Sequence, residues 1–224
     1  MAIDPPPEHA AWFERVWAQR EAQIYPDLFG PLAPEIHTIP AELFAKLGCR
    51  NVAPAWLCHG VLISPPNERH NHWVYLTSAL SNPWGQTAST ARPPAYSGLG
   101  FEFIFYTPTA AAWAIQVLHW VMAIQLMVAS EQMRGTLLEV NDRIPLGTAL
   151  DGKQSLLRHL WVNPLPHGPQ QFTLESGVVD LLLLVGLTHG EMDFLRGSGP
   201  EATREMLTRR GHYPQTDATR TAAV

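Results

Sequence analysis

The run Val178–Leu187 reads Val-Val-Asp-Leu-Leu-Leu-Leu-Val-Gly-Leu and is bounded by Gly177 and Thr188. It is too short to cross a membrane as a helix, and its near-continuous apolarity fits a central strand covered on both faces. A second strand is written in a different pattern. In Gly100–Tyr106, the side chains of Phe101, Phe103 and Phe105 alternate onto one face, with Glu102 on the other. Strand-forming stretches at Trp56–Ile63 and His72–Leu80 flank Ser64-Pro65-Pro66-Asn67-Glu68, which is turn chemistry, so a hairpin is expected there. Shorter strands are expected near Leu137–Val140, Leu157–Val162 and Gln171–Leu174.

The helices separate by the same logic. Asp4-Pro5-Pro6-Pro7 opens a helix in which Trp12, Phe13, Val16, Trp17 and Ile24 recur at helical spacing. Prolines 26, 31, 34 and 40 then break the chain into a surface connector, with a short helix at Ala41–Leu47. Beyond a polar loop holding Gly85, Pro93 and Pro94, the stretch Ala110–Ala129 is twenty residues without a formal charge, long enough to span a bilayer. Gln116, His119 and Gln125 interrupt it on different sides, which favours a buried core helix over Thr109–Ser130. Short helices at Gly190–Leu195 and Pro200–Arg210 complete a domain ending near Gly211, and residues 212–224 read as a mobile tail. The fold class expected is therefore α/β (α+β): a mixed, mainly antiparallel sheet flanked by helices, in one domain over residues 1–211.

Charge and cysteine content narrow the function. The formal net charge of −5 comes from scattered acids, with no run of Lys or Arg to neutralise a phosphate backbone, which argues against nucleic acid. With 46% apolar and 16% charged residues, the chain can fill a core without metal or disulfide support. Only Cys49 and Cys58 are present, and residues 1–7 carry neither a basic stretch nor an apolar core, so the expected setting is the reducing cytoplasm. Neither a membrane nor a cofactor is expected. Gly-Leu-Gly at residues 98–100 enters a strand, whereas a phosphate loop ends at a helix N-terminus, and no nucleophile elbow, His-Glu-x-x-His or Cys-x-x-Cys occurs. The one metal-like pattern is His70 and His72, two apart on a strand edge, with His59 facing them. Packed, hydrogen-bonded imidazoles are the commoner use of such residues, and a small hydrolase or metal-dependent enzyme at these three histidines is the alternative.

Four blocks, in order, resemble one family. His72-Trp73-Val74-Tyr75, running into Leu80-Ser81-Asn82-Pro83-Trp84-Gly85, is similar to the His-Trp-x-Tyr strand and Leu-Ser-Asp-Leu-Tyr turn of the Suppressor of fused family. Ser97-Gly98-Leu99-Gly100-Phe101-Glu102-Phe103 resembles its Ser-Gly-Phe-Gly-Phe-Glu-Leu strand. Trp113 and Leu118 lie in a helix like its Trp-Pro helix, and residues 177–188 resemble its Gly-x-Val-x-Phe-Leu-x-x-Val-Gly element. The chain departs from the pattern at Asn82, Ala114, Ala123 and Ile124. The resemblance spans about Trp56–Leu207 and corresponds to the family's N-terminal domain. It implies a non-catalytic binding role. Long animal members add a second domain and clamp a peptide of a Gli-type transcription factor between the halves, while short bacterial members are regarded as immunity-like proteins that neutralise toxins.

On this reading the partner is another protein, a toxin among the candidates, and the candidate contacts are Tyr75, Trp84, Tyr96 and Glu102. Trp84 and Tyr96 either anchor an interface or cap the core from outside. Glu102 either meets a partner or the turn at Ser81, or is simply a hydrogen-bonded strand residue.

Overall fold

In the computed structural model, residues 7–86 and 95–224 are described; Asp4–Pro6 of the expected helix start, and the Pro93–Pro94 part of the loop, lie outside them. The chain opens with helix α1 (Pro7–Ala18), widens into a π-helical turn (Gln19–Ile24) and continues as α2 (Tyr25–Phe29). Pro26 therefore belongs to a helix and not to the connector, because it falls in the first turn of α2, where a missing N–H costs nothing. There follow β1 (His37–Thr38), α3 (Ala41–Lys46), a 3₁₀ turn (Pro54–Cys58), β2 (Gly60–Ser64), β3 (Trp73–Ser78), β4 (Tyr96–Thr107) and α4 (Ala112–Ala129). The last part holds β5 (Arg143–Pro145), β6 (His159–Pro164), β7 (Gln171–Leu174), β8 (Gly177–Leu187) and α5 (His189–Arg209).

These strands form one sheet in the order β1-β2-β3-β4-β8-β6-β5, with β7 paired to the first residues of β8. β4 and β8 pair in parallel and the other pairings are antiparallel, so the sheet is mixed and mainly antiparallel, as expected. Alternation then sorts the core into two layers. Phe101, Phe103 and Phe105 face α4 together with Tyr75, Leu182 and Leu184. Ile104, Leu181, Leu183 and Val185 face the other side, against Tyr25, Phe29 of α2 and Met192, Leu195, Leu207 of α5. Residues 181–187 are buried throughout, which is what a continuous apolar strand between two helical layers should show. Each such Phe or Leu contributes roughly 1.5–3 kcal/mol by leaving water.

The uncharged helix α4 is long and apolar enough to cross a membrane, with mean hydropathy 1.6, and here it lies on the sheet with ten of its residues buried. Its polar residues are used inside: Gln125 accepts from the Leu138 amide at 2.9 Å, and His119 Nε2 meets the His37 carbonyl at 2.7 Å. It starts at Ala112, not Thr109, since Ala111 is extended and its N–H donates to the Tyr75 hydroxyl at 2.6 Å.

Three expectations are corrected. Residues Leu137–Val140 form no strand; the β5 pairing begins at Arg143, after a turn in which Asn141 takes a φ of 77°. Trp56 lies in the 3₁₀ turn that Pro54 initiates, ahead of the hairpin. Nor do residues 212–224 form a loose tail. Thr216, Ala218, Arg220 and Ala223 are buried, and Arg220 bonds both Glu191 oxygens, at 2.5 and 2.6 Å, beneath the first turn of α5. α5 itself bends at Gly199, whose φ of 84° separates the two expected helices.

Candidate functional site

The candidate site is built on the loop Ala79–Gln86 that follows β3, buried as far as Pro83 and exposed at Trp84 and Gly85. Its turns close through Asn82 N–H to the Ala79 carbonyl (3.1 Å), Trp84 N–H to Asn82 (2.8 Å) and Gln86 N–H to Pro83 (3.0 Å). It is laid directly on β4: Leu99 N–H donates to the Leu80 carbonyl at 2.8 Å, and a Cβ on Gly98 would stand 2.4 Å from the Asn82 carbonyl oxygen. Glycine is therefore required at 98 by the space as well as by its φ of 57°. Gln86 staples the far end, donating to the Tyr96 carbonyl (3.0 Å) and accepting from Gly98 N–H (3.1 Å).

Beneath the loop is a buried polar cluster. Glu102 is fully buried and accepts from the Ser81 N–H (2.9 Å), the Ser81 hydroxyl (2.6 Å) and the Thr77 hydroxyl (2.6 Å). Arg20, also fully buried, is turned inward by the π-helical turn. It donates to Asn82 Oδ1 (2.5 Å), Ser81 Oγ (3.0 Å), Ser78 Oγ (2.9 Å) and Glu21 (3.1 Å), and lies 3.9 Å from Glu102. Ser78 in turn donates to Glu21. Buried charges are tolerated when they are paired and their remaining hydrogen-bonding sites are filled, and this cluster fills nearly all of them. Tyr25 closes the layer by donating to the Thr77 carbonyl at 2.9 Å; burial, followed by the nearby Glu102 charge, pushes its phenol well above the ordinary range.

Of the four candidate contacts, Glu102 and Tyr75 are corrected to interior roles: Glu102 braces the loop from within, and Tyr75 receives the Ala111 N–H at the start of α4. The other two are on the surface. Trp84 is 43% exposed and Tyr96 54%. The Trp84 ring rests between Phe13 of α1 (4.7 Å) and His59 (6.0 Å, tilted 28° from parallel). A groove of about 440 Å³ opens beside it, walled by Trp56, Leu80, Leu99 and Leu126. A larger cleft of about 960 Å³ lies beyond Leu99, with Tyr96, Val140 and Asp180 on its walls.

The three histidines do not meet. His59 precedes β2 at its Gly60 end, while His70 and His72 sit at the Ser64 end, so about 16 Å of extended chain separates them. His59 is buried, its Nδ1 3.1 Å from the Ala55 carbonyl, and burial holds its pKa at about 4. His70 is committed on both nitrogens, each 2.7 Å from a carbonyl, of His72 and of Phe29. Burial and the neighbouring His70 hold His72 at about 4. Among the described residues no group of three or more His, Cys, Asp or Glu is placed to hold a metal, and His59 is not brought together with His70 and His72.

Sequence reasoning missed Arg20. A charged residue on an amphipathic helix looks solvated, and only the π-helical turn, which no pattern in the sequence announces, aims it at a loop 60 residues away.

The class defined by fold and site is a three-layer α/β domain in which a buried ionic cluster fixes one aromatic-bearing loop. The model of the Suppressor of fused protein (SUFU) family matches residues 55–221, and the chain belongs to that family. It is similar to the structure of the Sufu–Fu complex (19% identity, 98% of this chain and 93% of that one, TM-score 0.61). It also resembles the crystal structure of a Neisseria gonorrhoeae protein described as a SUFU homologue (16% identity, 96% and 98% coverage, TM-score 0.62). Drosophila Suppressor of Fused matches at 18% identity and TM-score 0.60; there, 99% of this chain corresponds to 54% of the fly protein. No curated protein sequence matches significantly.

Proposed function

We propose that this chain is a non-catalytic binding protein, and that its partner is another protein seated on the loop Ala79–Gln86 and on Tyr96. One observation carries this reading: Trp84, a large aromatic side chain, is held half-exposed on a loop whose backbone is fixed from below by Glu102 and Arg20. Rigid aromatic anchors lose little conformational freedom on binding and dominate interface energetics. The groove beside Trp84 supplies apolar walls for a partner side chain.

The finer reading is an immunity-type role in the cytoplasm, in which the chain occludes a toxin. Support comes from the resemblance to short bacterial members of the family: the match takes in 98% of the Neisseria homologue and 54% of the Drosophila protein. The test is co-expression with the protein encoded beside it, followed by affinity capture. Trp84→Ala should weaken capture by about 2 kcal/mol, more than tenfold, with its melting curve unchanged. Phe103→Ala, in the core, should instead lower stability by about 3–5 kcal/mol. Full capture by a normally folded Trp84→Ala protein would remove this residue from the interface.

A further inference from the structure

At the opposite end of β8 from the residue that pairs with Tyr96 lies a pair of ligand-type side chains. His159 in β6 and His189, the first residue of α5, point at each other, with Nε2 of one 2.8 Å from Nδ1 of the other and the ring planes 77° apart. Both backbones are fixed. His159 lies in the ladder between Leu187 of β8 and Pro145 of β5, and His189 follows Thr188, whose side chain and Glu191 form a reciprocal cap on α5.

We propose that this pair is a binding site for one divalent transition-metal ion of the imidazole-preferring kind, such as Zn²⁺, Ni²⁺ or Cu²⁺. Two imidazole nitrogens bound to one such ion at about 2.0–2.1 Å stand roughly 3 Å apart, close to the separation already present. In the metal-free pair one nitrogen carries the shared hydrogen. A tautomer shift sends that proton to the far nitrogen of the same ring, so both facing nitrogens present lone pairs and no proton is lost overall. Among the described residues no third side chain is placed to coordinate, so water would fill the remaining positions and the ion would exchange freely. Asp193, one helical turn beyond His189, is occupied by Arg196 at 3.0 Å. A bound ion would tie β6 to the first turn of α5. Hard, oxygen-seeking Mg²⁺ and Ca²⁺ find nothing here to suit them.

The experiment is calorimetric titration of the untagged, chelator-treated full chain with Zn²⁺ and Ni²⁺, alongside imidazole nitrogen NMR. One saturable equivalent should bind and shift the resonances of His159 and His189, and Mg²⁺ should not bind. His189→Ala and His159→Ala should each weaken binding at least tenfold with little change in melting temperature, while His72→Ala should leave it unchanged. Absence of saturable binding in the parent chain, or an equivalent that survives both substitutions, would overturn the assignment.

Discussion

Among the described residues two arginine–glutamate pairs are buried, and they do different work. Arg20 and Glu102 lie under the Trp84 loop; Arg220 and Glu191 lie where residues 212–224 cross the start of α5. In each pair the arginine Nε has no partner, so neither cluster is fully satisfied. They differ in what happens when a partner is removed. Arg20 is part of a helical stretch pressed against the sheet and has no way out to water. Arg220 belongs to a strap held by a few bonds, among them Thr216 N–H to Tyr106 and Ala223 N–H to Glu191, and it can reach solvent when the strap lifts. The first pair therefore sets the shape of a surface loop, and the second closes the domain.

The sharpest way to break this contrast is Glu102→Ala. It leaves the buried Ser81 and Thr77 donors without their acceptor and Arg20 with Glu21 as its remaining carboxylate, so urea denaturation should show a loss of about 3–5 kcal/mol. A loss under 1 kcal/mol would mean that Arg20 does find water.

Acid separates the two regions next. The folded pKa of His59, about 4, lies below its unfolded value, so the unfolded chain takes up more protons and stability falls as pH drops from about 6.5 to 4. For His59 this amounts to roughly 3 kcal/mol over the window, and His59→Gln should shrink the slope, leaving the part due to His72 and to the other histidines held low, such as His119. The Glu191 clasp loses stability in the same direction but in a lower pH window. Burial alone would raise that carboxyl, but Arg220 and the Thr188 and Ala223 amides outweigh it and hold it low, so its contribution is retained until the pH falls below the ordinary carboxylate range. Stability curves from pH 7 to 3 separate the two windows.

Smallest is Glu191→Ala, at about 2 kcal/mol, because the strap can lift and hydrate Arg220 while α5 loses half of its reciprocal cap. Hydrogen exchange should quicken in residues 212–224 and leave Ala79–Gln86 protected. Equal quickening in both regions would show that the two clusters are one cooperative unit.

Much of the architecture was legible because it is periodic. Continuous apolarity placed β8, alternation placed β4 and its Phe face, and the uncharged stretch placed α4 inside. Of the candidate site, only the exposed positions of Trp84 and Tyr96 were legible. Glu102 and Tyr75 carry polar atoms that suit an interface and a buried hydrogen bond equally, and only the tertiary partners, Ser81 and Ala111, decide between them. The segment Leu137–Val140 misled for the same reason. Its apolar side chains belong beside the cleft near Tyr96, but its backbone has no ladder to join. Residues 212–224 looked featureless because small residues fit closely against a surface without announcing it.

The parallel pairing of β4 with β8 carries a consequence for anyone dissecting the chain. Phe101 and Asp180 are neighbours in the sheet although most of the second half of the sequence lies between them. A fragment that stops before β8 would leave the long β4 with an open edge of unpaired amides and carbonyls beside a stripe of phenylalanine, which is a template for joining other copies. Shortened versions should therefore be sought among edge elements such as β1 or β5, and not by cutting the sequence into halves.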